Sequence, residues 1–235
     1  MTDLAQLKFF ATPEHDCSYL EGRQATTLFV DPAARVDNKL YSKLSALGFR
    51  RSGRHIYRPH CVACSACIPI RIPVADFAAR RRQRRIRQRN ADLEVRLRAP
   101  EMTDENYALY ARYITERHAD GDMYPPSPEQ FRAFLLCEWS DTCFVEFRAQ
   151  GRLVAVAVMD RVQDGLSALY TFFDPELSQR ALGVYAILWQ IDHARELGKP
   201  FLYLGYWIKQ CQKMSYKTSY RPLEMFVGER WARIT

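Results

Sequence analysis

Apolar positions along the chain recur with a period that switches between two and 3.6, and the switches mark the elements. Residues 93–97 alternate apolar and charged side chains, the pattern of a half-buried strand. Thr103 opens a helix expected to run to about His118, and Ser127 opens a second to Trp139. Strands are expected at 143–149, 152–161 and 166–173, joined at the hairpin dipeptides Gln150-Gly151 and Asp164-Gly165. Ser178 reads as the cap of a helix in which Ala181, Leu182, Tyr185, Leu188, Ile191 and Leu197 share a face, with Gly198 as its stop. A strand at 201–204, a short helix at 209–217 and a last strand at 223–227 follow. Upstream, 7–12 and 25–30 read as strands. Asp37 or Asn38 caps a helix to Leu47, with Gly48 just beyond. Ser52-Gly53 makes a turn before a strand through Ile56 and Tyr57, and 68–74 alternates as a strand.

This pattern predicts an α+β protein without internal repeats. The composition turns almost wholly polar over 76–92, which places a division there: a small N-terminal cysteine-containing α+β domain at 1–90, ending in a basic segment, and a second domain at 91–235. The second domain reads β-α-α-β-β-β-α-β-α-β. That order resembles the acyltransferase fold of the GNAT type, one mixed sheet with helices on both faces. The resemblance implies that the fourth and fifth strands splay and that the acyl donor lies in the gap, here between the C-terminal ends of strands 166–173 and 201–204. A likeness of element order carries no chemistry.

The chain has 235 residues, of which 48% are hydrophobic and 13% aromatic, enough to bury a core and to exclude wholesale disorder. No apolar run approaches the roughly 20 residues of a spanning helix; the longest candidate is 153–159. No membrane partner is expected. The start, MTDLAQLKFF, lacks the pattern of an export signal, so the expected compartment is the cytoplasm. Charge changes the picture more. Lys and Arg number 34 against 27 Asp and Glu, and seven of the 34 lie in RRRQRRIRQR at 80–89, which leaves 34 − 7 = 27 against 27 elsewhere. The whole excess is one local patch: Arg80, Arg81, Arg82, Arg84, Arg85, Arg87 and Arg89. Such a patch suits a polyanion, since a guanidinium forks onto phosphate.

Seven cysteines in a chain without an export signal argue against a disulfide framework. Cys61, Cys64 and Cys67 form C-x2-C-x2-C, with Cys17 upstream, and the four are candidate thiolate ligands for zinc or an iron–sulfur cluster. His60 beside them is an alternative ligand. Cys137, Cys143 and Cys211 read as small buried hydrophobes, and His118 and His193 as helix residues without a metal-spaced partner. No soluble cofactor is expected. A coenzyme A loop of the form [Q/R]-x-x-G-x-[G/A] is half present in Arg180-Ala-Leu-Gly183-Val-Tyr185, but Tyr185 is expected to obstruct the pyrophosphate. From 203 to 221, Tyr203, Tyr206, Trp207, Tyr216 and Tyr220 interleave with Lys209, Lys213, Lys217 and Arg221. Rings beside cations suit the CCA end of a tRNA, where bases stack and phosphates pair. The three lysines are spaced to share one stripe of a helix.

Several spaced motifs occur in one order: Cys17-Ser-Tyr19-Leu-Glu-Gly22-Arg23, Gly48-Phe-Arg50-Arg51-Ser52-Gly53, Tyr57-Arg-Pro59, Cys64-x-x-Cys67-Ile-Pro69, Tyr170-Thr-Phe-Phe-Asp174-Pro175, Tyr203-Leu-Gly205-Tyr206-Trp207-Ile208 and Lys213-Met-x-Tyr216-Lys217-x-x-Tyr220-Arg221-Pro222. Together they resemble the bacterial aspartate/glutamate leucyltransferases, relatives of the eukaryotic arginyl-tRNA–protein transferases. One departure is Leu20, where the eukaryotic relatives carry cysteine. The resemblance implies transfer of leucine from leucyl-tRNA to proteins with N-terminal Asp or Glu, marking them for N-end rule degradation. An arginyl donor, a coenzyme A-dependent N-acetyltransferase and a metal-dependent nucleic-acid-binding module are the alternatives. An aminoacyl ester is already activated and a free α-amine titrates near ~8, so orientation supplies much of such catalysis. Candidate proton-handling residues are Asp174, Tyr206 and Tyr216. Candidate substrate cations are Lys209, Lys213, Lys217 and Arg221, with Arg221 expected on the acceptor carboxylate and Lys213 on the donor.

Overall fold

The computed structural model describes residues 4–235; residues 1–3, where the segment read for an export signal begins, lie outside the described residues. In chain order the strands are β1 (Phe9–Ala11), β2 (His15–Asp16), β3 (Gln24–Ala25), β4 (Thr27–Val30), β5 (Arg50–Ser52), β6 (His55–Pro59), β7 (Ile68–Pro73), β8 (Glu94–Arg98), β9 (Thr142–Ala149), β10 (Arg152–Val162), β11 (Gly165–Phe173), β12 (Phe201–Trp207), β13 (Leu223–Val227) and β14 (Arg230–Ile234). The α-helices are α1 (Asn38–Ala46), α2 (Arg81–Arg89), α3 (Asp104–Arg117), α4 (Pro128–Leu135) and α5 (Leu182–Glu196). Most of the expected elements form for the expected reasons. Asp37 caps α1 by accepting from Leu40 N–H at 2.7 Å, and Thr103 and Ser127 cap α3 and α4. Gln150 and Gly151 both take positive φ, 49° and 82°, as a two-residue hairpin with right-handed strand twist requires.

Eight strands form one sheet in the order β14-β13-β7-β12-β11-β10-β9-β8, antiparallel throughout except for the parallel pair β11–β12. Four more form a smaller sheet, β1-β4-β6-β5, and β2 and β3 pair alone. β7 comes from the first 90 residues yet lies between β12 and β13 of the large sheet, so the chain crosses between the two regions before the basic segment begins. Strand alternation on β10 separates two cores. Ala155, Ala157 and Met159 pack with Leu182, Ala186, Leu188 and Ile191 of α5. Val156 and Val158 face the other way, onto Tyr110, Ile114 and Phe131 of α3 and α4. Farther along that second face, Val162 and Tyr203 meet Tyr41, Leu44, Phe49 and Ile56 of the N-terminal region.

One buried ion pair fastens that region to the large sheet. Arg51, fully buried on β5, donates Nη2 to Asp160 Oδ1 at 2.6 Å and Nε to Oδ2 at 2.7 Å. Thr142 and Tyr41 hydroxyls complete the carboxylate at 2.7 and 3.0 Å. Gly53 explains how closely the parts meet: its N–H donates to Phe134 O at 2.7 Å, and a Cβ there would stand 1.8 Å from Ala133 O. The carbonyl taken by Gly53 lies in the last turn of α4, which ends at Leu135 instead of continuing to Trp139.

The basic segment forms α2 over Arg81–Arg89, an element the apolar pattern did not predict, which turns Gln83 and Ile86 inward and packs against α5. Two further expectations are corrected. Ser178 caps no α-helix. Asp174 accepts from Glu176 N–H and starts a 3-10 turn, Pro175–Arg180, which ends at Ala181 with φ 52°, and α5 begins only after it. The expected helix at 209–217 is a 3-10 segment, Gln212–Ser219, so the four-residue spacing of Lys209, Lys213 and Lys217 makes no stripe. β14 escaped the sequence pattern; Gly228 and Glu229, both at positive φ, turn the chain back into it.

The Arg51–Asp160 pair generates a stability prediction. Asp160→Ala leaves a buried guanidinium without its counter-charge and is expected to lower unfolding free energy by about 3–5 kcal/mol. The double variant Arg51→Met/Asp160→Leu is expected to recover more than half of that loss. Urea unfolding of wild type, Arg51→Met, Asp160→Leu and the double variant measures the coupling; additive losses would show that the pair does not act as a unit.

Candidate functional site

β11 and β12 pair over only three positions, Gly165↔Phe201, Leu166↔Leu202 and Ser167↔Tyr203. Beyond them the strands part. β12 bulges between Tyr203 and Gly205, where Gly205 takes φ 76°, and stays with β7 through Trp207. β11 stays with β10 to Phe173. The inner edge of β11 past Ser167 therefore has no strand beside it, and a wedge-shaped gap opens at the place the sequence pattern indicated.

Arg50 forms the floor of the gap on the side of the N-terminal region. It is 6% exposed. Its Nη1 donates to Ser167 Oγ at 2.9 Å and its Nη2 to Ala168 O at 2.8 Å, the first carbonyl after the strands separate. Its guanidinium packs on Gly205, where a Cβ would stand 3.4–3.5 Å from Nε, Cζ and Nη2 in ordinary contact; the glycine is required by its φ of 76°. The 3-10 segment Gln212–Ser219 crosses the mouth. Lys213 pairs with Asp120 beyond α3 at 2.7 Å, and Ser219 O accepts from Gln83 of α2 at 3.4 Å. Beneath this strap Lys217 donates to Tyr206 O at 2.6 Å. Burial, and then the nearby Arg50 charge, lowers its pKa to about 7. Tyr216 stays 44% exposed, while burial and then Tyr113 push its hydroxyl up to about 12. At the same end His118 Nε2 lies 3.1 Å from Tyr113 Oη, and burial, then Lys213, lowers its pKa. Tyr170 Oη is buried without a hydrogen-bond partner.

The expected site residues thus divide. Tyr216 and Lys217 lie at the gap near Arg50, while Lys213 is exposed on the strap and paired with Asp120. Tyr206 lies beside it but is 5% exposed, and its hydroxyl reaches Gly48 O at 3.0 Å and Tyr57 O at 3.2 Å, tying the two regions together. Asp174 is 2% exposed; Arg112, Arg152 and Glu176 N–H occupy its oxygens, so it anchors the turn after β11 and has no free lone pair aimed at the gap. Arg221 turns away, donating to Thr218 O at 3.1 Å and Thr235 O at 3.4 Å. Lys209 is exposed beside Trp207, Arg23 and Cys64. Two gap residues were missed. Arg50 sits next to a core arginine in an ordinary strand, and His118 has no chain neighbour that signals a site.

The arginine helix splits by face. Arg87 pairs with Asp192 at 2.8 Å, Arg89 donates to Gln179 O, and Arg84 folds back to Ala79 O at 2.6 Å. Arg80 gives its backbone N–H to Gln83 Oε1 at 2.8 Å. Arg81, Arg82 and Arg85 point to solvent, and among the described residues none has a side-chain partner. The half-matching coenzyme A loop is also accounted for. Arg180 pairs with Asp92 at 2.8 Å, and its carbonyl accepts from Asn90 at 2.8 Å. Tyr185 packs its half-buried ring on Phe147, ring centres 5.4 Å apart.

Cys17, Cys61, Cys64 and Cys67 line one cavity of about 200 Å³, together with Tyr19, Tyr57 and Tyr206. Four thiols suit the donor chemistry of zinc or an iron–sulfur cluster. Their spread is wider than such a site: among the described residues, no three His, Cys, Asp or Glu groups gather closely enough to hold an ion. Cys61 instead exchanges hydrogen bonds with the backbone of Thr26 at 3.5 and 3.8 Å. No helix among the described residues is long and apolar enough to cross a membrane.

Comparison with known proteins agrees over nearly the whole chain. Residues 15–85 match the family description "Arginine-tRNA-protein transferase, N terminus", and 105–227 match its C terminus. An aspartate/glutamate leucyltransferase of Alcanivorax borkumensis is 62% identical over 98% of this chain and 96% of its own. Those of Pseudomonas aeruginosa and Hahella chejuensis are 59% and 57% identical over the full length of both chains. Among solved structures, L-PGS from Bacillus licheniformis is 13% identical with a TM-score of 0.39, covering 60% of this chain and 46% of that one. The chain belongs to the arginine-tRNA-protein transferase family, and within it to the aspartate/glutamate leucyltransferases.

Proposed function

We propose that this aminoacyltransferase moves leucine from leucyl-tRNA to the α-amine of proteins beginning with Asp or Glu, on a GNAT-like domain whose β11–β12 gap brings ester and amine together. The observation that carries the reading is the parting of the only parallel strand pair after Ser167 and Tyr203, beneath a strap bearing Lys213, Tyr216 and Lys217. The amine attacks the ester carbonyl, the new amide forms, and the terminal ribose oxygen leaves with a proton. An ester is reactive enough that holding both partners in the gap supplies much of the acceleration. Lys217, with a pKa of about 7, is proposed to take the proton from the incoming amine, and Tyr216 to lie beside the leaving oxygen. Lys213 and the outward arginines of α2 are proposed to hold tRNA phosphates. Cytoplasmic residence and entry of the products into N-end rule degradation belong to the same proposal.

The four thiols stand too far apart here to share one ion, so the loops that carry them are proposed to draw together on zinc or an iron–sulfur cluster, a structural role apart from the transfer. When bound, either metal would cross-link thiolates from residues 17 and 61–67 and stiffen the region next to Tyr57 and Tyr206.

Four outcomes test these assignments. Purified protein, leucyl-tRNA and an Asp-initiated peptide are expected to give leucylated peptide, while acetyl-CoA or arginyl-tRNA gives little product. The kcat–pH profile of wild type is expected to rise through about pH 7, because the proton acceptor must be neutral, and Lys217→Met is expected to lose that rise. An unaltered profile in the variant removes Lys217 from proton transfer. For tRNA binding, the triple variant Arg81→Gln/Arg82→Gln/Arg85→Gln is expected to flatten the log–log salt slope by about two to three. Arg87→Gln is expected to leave the slope near wild type; equal slopes in all three proteins would remove α2 from the interface. Anaerobic purification followed by iron, zinc and acid-labile sulfide analysis is expected to find stoichiometric metal that falls in Cys64→Ser. Metal-free protein with full activity would discard the cysteine proposal.

A further inference from the structure

The cation expected to read the acceptor's acidic side chain, Arg221, is turned toward the C-terminal backbone. Another cation is placed far better. Arg50 is only 6% exposed, yet among the described residues no carboxylate pairs with it. Its sequence neighbour Arg51 has taken Asp160, the nearby buried carboxylate, with two bonds. Asp160 reaches Arg50 only through Tyr41, which lies 3.5 Å from Ser167 Oγ. Of the five N–H donors of Arg50, two are used, both on neutral oxygens of β11. A buried guanidinium without a counter-charge is costly to keep, and such groups persist where a ligand supplies the missing anion.

We propose that Arg50 is the specificity residue for the acceptor: its unused N–H fork binds the side-chain carboxylate of the N-terminal Asp or Glu in the β11–β12 gap. The proposal rests on the leucyl-transfer reading above. Three features favour a peptide over a tRNA phosphate. The edge of β11 past Ser167 is unpaired, and an extended peptide adds its backbone to such an edge. The guanidinium is recessed at the base of the wedge, within reach of a slender carboxylate but crowded for a phosphate flanked by two riboses. The free arginines suited to the phosphate backbone lie on α2, against α5 on the opposite face of the sheet. Around Arg50 stand Tyr41, Tyr57, Tyr206, Tyr216 and Lys217. None brings negative charge at neutral pH, so the acceptor's carboxylate would be the only anion in the pocket. Ser167 then acts as a positioning residue, fixing the plane of the fork.

The test compares peptides beginning with Asp and with its neutral isostere Asn, using leucyl-tRNA as donor and the full chain as enzyme. A site built around a charge rejects the isostere strongly. In wild type the Asp/Asn ratio of kcat/KM is expected to exceed about a hundred. In Arg50→Gln it is expected to fall to within about tenfold of unity, through loss of the Asp reaction, with tRNA affinity unchanged; in Arg50→Lys part of the preference is expected to survive. Because Arg50 is buried, Ser167→Ala provides a milder second variant, expected to raise KM for the Asp peptide while kcat and the Asn reaction hold. A wild-type Asp/Asn ratio in the folded Arg50→Gln protein overturns the proposal. If tRNA affinity falls at the same time, Arg50 holds the donor instead; if it does not, the residue is structural. Should Arg50→Gln fail to fold, an unchanged KM in Ser167→Ala overturns it. Failure of wild type to leucylate any peptide overturns the reading beneath the proposal and is recognised as such, because no ratio can then be measured.

Discussion

The arrangement of the molecule depends on one buried ion pair. Arg51 and Asp160 are both excluded from water, and each is tolerable there only because the other is present. Their union fixes the N-terminal region on the same face of the large sheet that carries α3 and α4. Asp160 and Ser167 are register partners on β10 and β11, so with Arg51 held on the first, Arg50 meets the second, where the parallel pair parts. A structural charge pair and an unpaired charge at the candidate site are therefore consecutive residues of one short strand, and the first sets the position of the second.

The gap itself is made by backbone more than by side chains. Gly165 allows β12 to approach, since a Cβ there would lie 2.5 Å from Phe201 O. Gly205, four residues into β12, then bends that strand away at positive φ, beside the Arg50 guanidinium. Close contact at one end and divergence at the other turn two strands into a wedge. The 3-10 strap is tied to the two faces of the sheet through Asp120 and Gln83, so Lys213 is held outside the gap while Lys217 reaches Tyr206 O on its edge. The arginine helix shows the same economy of position. Gln83 and Ile86 dock it, Arg87 and Arg89 lock it to its neighbours, and the remaining face stays free for a polyanion.

Local patterns were legible because they report local physics. The hairpins at Gln150-Gly151 and Asp164-Gly165, the caps at Asp37, Thr103 and Ser127, and the order of strands and helices from 93 to 227 follow from propensity and periodicity. The gap could be located from that order, and the cysteines could be assigned to one neighbourhood by spacing and by resemblance. The errors have a common cause. Ser178 looked like a cap, but Asp174 and Pro175 started a different turn; the lysines at 209, 213 and 217 looked like a stripe, but 3-10 geometry scattered them. In both cases local geometry overrode a spacing rule.

The sequence by itself determined the kind of protein: an α+β chain with a local excess of arginine, clustered thiols and the ordered motifs of its family. Those properties depend on residue identity and short separations, which a linear reading preserves. Which charges are spent and which are free was decided only by the tertiary structure. Arg50 and Arg51 are chemically identical neighbours, and nothing in the chain says that one will find Asp160, 109 residues away, and the other a serine and a carbonyl. Burial and pairing depend on contacts between residues distant in sequence, and those contacts exist only after folding.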